Sequence, residues 1–156
     1  MRNLLSHAAD LRRNAAGNVL VEAALFLPLA LMLFGGVVDF SMAVTQKLRA
    51  QQAVARSLEM VSNVPMSSLN ETMLVTEAAN AAGIAQSKVT ARVWLECDGV
   101  AQANLFDTCS TSTGLARYAS ITINDTYNLQ LYSRLAKFGA GQESLNYQVQ
   151  GSLRIQ

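Results

Sequence analysis

Three observations predict an α+β fold: a long N-terminal transmembrane helix that continues into an exported domain with a second helix and a small antiparallel sheet. Residues 19–38 are almost wholly apolar, and as a helix such a run rises about 30 Å, the thickness of a bilayer's hydrocarbon core. Apolar residues then recur at helical spacing up to Pro65. Beyond Gly83 the pattern changes to alternation of apolar and polar residues, as in strands buried on one face.

Residues 1–17 hold Arg2, Arg12 and Arg13 against Asp10, a balance of +2, and carry no apolar period long enough to pack. They read as a leader. The positive-inside rule keeps this basic end in the cytoplasm, so residues past Phe40 are expected outside. Within the apolar run, Pro28 lacks a backbone donor and is expected to kink the helix. Glu22 lies in the run near its start, where a carboxylate is costly unless it reaches the interface or finds a partner.

The helix is expected to continue from the membrane to Ser62, giving one element over 18–62 with its transmembrane part at 19–38. Val44, Leu48, Ala55 and Leu58 mark its expected buried stripe, widened by Val54 and Val61, with Gln51 interrupting it. Asn63-Val64-Pro65 ends it, because the residue before a proline is pushed out of the helical region. The exported domain then occupies 63–156. A second helix is expected from Ser68 to Ala82, with Ser67 or Ser68 as cap, Glu71 completing a capping box and Gly83 as the stop. Leu69, Met73, Leu74 and Ala78 form its expected packed face.

Three strands follow in the pattern. Val89, Ala91, Val93 and Leu95 form the inner set of the first; Ala119, Ile121 and Ile123 that of the second; Leu145, Tyr147, Val149, Gly151, Leu153 and Ile155 that of the third. Asp98-Gly99 and Ser110 to Gly114 supply turn chemistry between the first two. Leu129, Leu131, Tyr132, Leu135 and Phe138 fit either a further strand or a helical turn.

The formal net charge of the whole chain is +1, which gives no reason to expect nucleic acid as a partner. After the leader and span, about 115 residues remain, enough for one modest domain. The two cysteines, Cys97 and Cys109, both fall in the exported part. In an oxidising compartment they are candidates for a disulfide, with free thiols or a metal site as the alternatives. Two sulfurs without a clustered histidine fall short of a tetrahedral metal set, and the only histidine is His7.

Catalytic chemistry has no constellation here. No histidine follows His7, and no phosphate loop or dinucleotide fingerprint occurs. Asp98, Asp107 and Asp125 sit in turn-like or strand-end sequence and read as solvated acids. Trp94, Tyr118, Tyr127, Tyr132 and Tyr147 could form a sugar-binding surface, but aromatics on half-buried strands more often belong to the core. Neither an enzymatic activity nor a cofactor is expected.

Arg12 and Arg13 admit three roles: orienting the helix, forming a twin-arginine export signal, or preceding a processing site at Gly17. Ser41-Met42-Ala43 also resembles a secretory cleavage site. Against that, the apolar run is longer than a signal core, an acid interrupts it, and the helical pattern runs straight through Ala43.

The string R-R-N-A-A-G-N-V-L-V-E-A-A-L-F-L-P-L-A-L-M-L-F-G-G-V-V-D-F resembles the opening of the TadE-like family, minor pseudopilins of the Tad (Flp) pilus system with a class III signal. Arg12, Arg13, Gly17, Val21, Glu22, Pro28, Gly36, Asp39 and Phe40 carry the likeness, which departs at Ala23 and Ser41. The resemblance implies a pilin-like outer domain and cleavage between Gly17 and Asn18 by a prepilin peptidase. It makes Glu22 an assembly contact, pairing with the N-terminal amine of a neighbouring subunit. The implied partners are other pilins or pseudopilins, the pilus assembly platform and the bacterial inner membrane, and the implied roles are pilus biogenesis and surface adherence. The alternative is a membrane-anchored binding module of the cell envelope.

Overall fold

The structure is a computed structural model and describes residues 15–102, 104–109, 114–131 and 144–155. Its elements are helix α1 (Ala15–Asn63), helix α2 (Glu71–Ala82), and strands β1 (Val89–Cys97), β2 (Val100–Ala101), β3 (Leu115–Asn128) and β4 (Ser144–Arg154), with 3-10 turns at Met66–Ser68 and Gln86–Lys88. The fold is α+β, a long apolar helix and a second helix with a small antiparallel sheet. Two compact units divide it, one of residues 1–41 with 130–141 and one of residues 42–129 with 142–156.

In the first unit, α1 is continuous through Pro28. It starts at Ala15, three residues before the expected Asn18, so Gly17 and Asn18 lie within helical backbone. The expected leader otherwise falls outside the described residues. From Val19 to Phe40 nearly all large apolar side chains are exposed, Leu25 at 74% and Phe34 at 71%. A surface of that extent is unfavourable in water and calls for lipid or a partner.

In the second unit, the sheet order is β2-β1-β3-β4, all neighbours antiparallel. Val89↔Ile123 and Ala91↔Ile121 fix the β1–β3 register, and Ile121↔Gly151 and Ile123↔Val149 fix β3–β4. These residues put one sheet face against Ala50, Val54, Leu58 and Val61 of α1 and Leu74, Ala78 and Ala79 of α2. Burying a Leu, Ile or Val side chain contributes about 1.5–3 kcal/mol, so this layer is the main source of cohesion in the unit.

The buried stripe of α1 differs from the expected one. Val44, Leu48 and Ala55 are exposed, the first two at 41% and 51%, while Val54, Leu58 and Val61 are buried as expected and are joined by Ala50, Ala53 and Ser57. Val54 and Leu58 pack so closely on Gly151 of β4 that a Cβ there would clash with both. That closeness depends on the partner strand and leaves no mark on the helix's own periodicity. Gln51 is exposed and interrupts nothing.

The cap of α2 also differs. Asn70, not Ser67 or Ser68, is the N-cap, its side-chain oxygen accepting the Met73 N–H at 2.8 Å. Ser68 ends the preceding 3-10 turn, and Leu69 is buried before the helix begins. Glu71 completes no capping box with Ser68, and its carboxylate accepts the Val93 N–H of β1 at 3.2 Å. Gly83, at φ +69°, closes the helix, donating its N–H to Asn80 and Ala79.

The sheet has four strands where the pattern marked three. Asp98 and Gly99, both at positive φ, form the two-residue turn between Cys97 and its partner Val100, and such turns match the twist of a hairpin. β3 is longer than the alternation over 119–124, extending from Leu115 to Asn128. The undecided stretch after Tyr127 is therefore strand up to Asn128, and residues 132–143 lie outside the described residues.

Candidate functional site

The described residues contain one helix long and apolar enough to cross a membrane. Its surface is the candidate interface, and Glu22 and Asp39 stand along its apolar part. Glu22 stands exposed amid the exposed apolar residues, with no hydrogen bond or ion pair among the described residues. It lies one helical turn past Asn18, since four residues rise about 6 Å. Pro28 lies on the same exposed helix with no break in assigned helix around it. Arg12 and Arg13 fall outside the described residues.

Asp39 behaves oppositely. It is fully buried in its unit, and its carboxylate accepts the main-chain N–H groups of Gln130 at 3.0 Å and Leu131 at 3.0 Å. In the sequence, Asp39 stands out only as part of the TadE-like resemblance. An acid immediately after an apolar run was the available signal, but its donors lie more than ninety residues away, beyond the reach of any local pattern.

In the second unit, Cys97 and Cys109 are joined by a disulfide, with Cα atoms 5.7 Å apart. The bridge closes the loop that starts at the Asp98-Gly99 turn, where Asp98 also accepts the Gly114 N–H at 3.1 Å. Asp107 receives two hydrogen bonds from Asn104 across an exposed turn.

Asp125 corrects the reading of a solvated acid. It occupies an inward position of β3 and is 6% exposed. Lys88 Nζ lies 2.5 Å from one carboxylate oxygen, which also accepts the Thr126 N–H at 2.7 Å, and the Tyr147 hydroxyl donates to the other at 3.1 Å. Burial alone would raise the Asp125 pKa, but Lys88, Thr126 and Tyr147 outweigh it and hold the carboxyl below its ordinary value. Tyr147 is pushed up to about 12 by burial first and by the adjacent Asp125 charge second.

Among the aromatics, Trp94 and Tyr118 are cross-strand partners on the sheet face away from the helices. Their rings stack at 5.4 Å, with the Arg92 guanidinium 5.5 Å from the Trp94 ring centre. Trp94 Nε1–H donates to Glu96 at 2.8 Å. The expectation of core aromatics therefore fits Tyr147 but not this pair. A strand's two-residue period sends neighbours to opposite faces, and Trp94 and Tyr118 fall on the outer one.

Among the described residues, then, the apolar helix carries Glu22 without a hydrogen bond or ion pair and Asp39 bonded to the main chain that follows β3. No curated protein and no solved structure matches the chain. Residues 17–57, which contain Glu22, Pro28 and Asp39, match the family described as TadE-like protein, so over that stretch the chain carries the sequence pattern of the TadE-like family.

Proposed function

We propose that this chain is a minor pseudopilin-like assembly protein of a type IV-related, Tad (Flp) pilus, contributing to pilus biogenesis and surface adherence. It sits in the bacterial inner membrane as a single-pass protein, N-terminus in the cytoplasm and outer domain in the periplasm or beyond. A prepilin peptidase cuts it between Gly17 and Asn18. Its partners are then other pilins or pseudopilins and the assembly platform, and it catalyses no reaction itself.

The observation that supports the reading most is Glu22, an acid held out from an apolar helix surface that is itself exposed. A carboxylate in lipid needs an opposite charge. Cleavage after Gly17 would create one, the α-amine of Asn18, on each neighbouring copy or related subunit. With helical backbone at Gly17 and Asn18, a chain cut between them would begin directly in α1.

Mass spectrometry of the protein recovered from membranes tests this. A mature chain beginning at Asn18 is expected. A chain beginning at Val44 makes residues 1–43 a removed secretory signal and overturns the reading, and an uncut chain beginning at Met1 removes the processing step and with it the partner proposed for Glu22.

A further inference from the structure

Asp39 is a fully buried acid one residue past the apolar run 19–38. A carboxylate withdrawn from water needs donors to replace its hydration, and those on Asp39 include the main chain of Gln130 and Leu131, just beyond β3. The chain leaving the sheet is therefore held to α1 where the apolar run stops. One helical residue rises about 1.5 Å, so the Leu131 main chain, 3.0 Å from the Asp39 carboxylate, lies level with the end of that run. The Leu131 side chain remains 41% exposed, and Val37 and Phe40, on either side of Asp39 in the helix, are each 64% exposed.

We propose that Leu131 is a second contact with the bilayer and that Asp39 is its positioning residue, gripping the chain after β3 so that Leu131 meets the lipid interface where α1 leaves the membrane. The proposal rests on reading residues 19–38 as a membrane span. Lipid is the occupant because the exposed apolar residues continue the span in level: Val37 and Phe40 flank Asp39 in the helix, and the Leu131 main chain is bonded to Asp39 itself. An exposed leucine beside an interface gains by leaving water.

Site-directed spin labelling of the full-length chain tests this in vesicles of phosphatidylethanolamine and phosphatidylglycerol. Both native cysteines are in the disulfide, so one added cysteine is the only free thiol. Labels at Leu131→Cys, at Leu33→Cys within the span and at Val100→Cys in the outer domain are compared for collision with dissolved oxygen and with a water-soluble nickel chelate. Leu131→Cys is expected to favour oxygen several-fold more than Val100→Cys. Asp39→Ala is expected to move that label to the aqueous value while the Leu33→Cys label stays unchanged.

An aqueous Leu131→Cys label with a lipid-exposed Leu33→Cys label overturns the inference and leaves the membrane span standing. Aqueous values at both overturn the span and the inference together. An unmoved Leu131→Cys label in Asp39→Ala overturns the positioning role of Asp39. If Asp39→Ala fails to accumulate, the label at Leu131→Cys in the otherwise unchanged chain still decides the lipid contact.

Discussion

Gly151 of β4 faces Val54 of α1 so closely that a Cβ on the glycine would lie 2.6 Å from the Val54 Cγ1, and 2.9 Å from the Leu58 Cδ1. Helix and sheet meet here without room for a methyl group.

Gly151→Ala is therefore expected to destabilise the outer domain by about 1–3 kcal/mol through overpacking. Val54→Ala alone costs stability by leaving a cavity. In the double variant the two losses should fall short of their sum, since the shortened side chain makes room for the new one. Urea unfolding of the four proteins of that cycle checks this, and strictly additive losses would deny the contact.

The Lys88, Asp125 and Tyr147 cluster predicts how stability depends on pH at both extremes. Asp125 titrates lower in the folded chain than its ordinary 3.8. Its stabilisation is therefore complete above that value and is lost as pH falls through the lower folded value. Tyr147 titrates at about 12 against an ordinary 10.0, so its contribution is complete below about 10 and declines as pH rises toward 12. Tyr147→Phe should remove the alkaline decline and weaken the acid one. Thermal unfolding across pH, with and without the substitution, reads both limbs.

Capping of α2 distinguishes two neighbouring residues. Asn70→Ala removes the side-chain acceptor for the Met73 N–H and should cost about 1 kcal/mol. Ser68→Ala should stay within about 0.5 kcal/mol, because Ser68 caps nothing. Equal losses in denaturant melts would place the cap back at the serine.

Glu22→Ala should leave membrane insertion intact, or improve it, because it removes a carboxylate from an apolar surface. Pilus output should fall, and Glu22→Asp should restore it less well than the native residue, since the shorter side chain draws the charge back toward the helix. Membrane fractionation and surface pilus counts measure the two effects separately. Undiminished pili in Glu22→Ala would remove the assembly role assigned to this acid.

Local sequence was enough for the long helix, the second helix ended by Gly83, a turn at Asp98-Gly99 though not the short strand it leads into, and the alternating inner residues of the long strands. Each depends on neighbours within a few positions, where spacing and backbone preference act directly. The family likeness was legible for the same reason, lying within one continuous stretch. The buried face of α1 was legible at Val54, Leu58 and Val61, but the burial of Ala50, Ala53 and Ser57 and the exposure of Val44, Leu48 and Ala55 were decided only in three dimensions, because what covers the helix, Gly151 against Val54 and Leu58 included, is distant in sequence. Asp125 and Asp39 were settled in the same way. Lys88, Tyr147, Gln130 and Leu131 reach them across the fold, and whether an acid is solvated or held depends on which donors the tertiary structure brings to it.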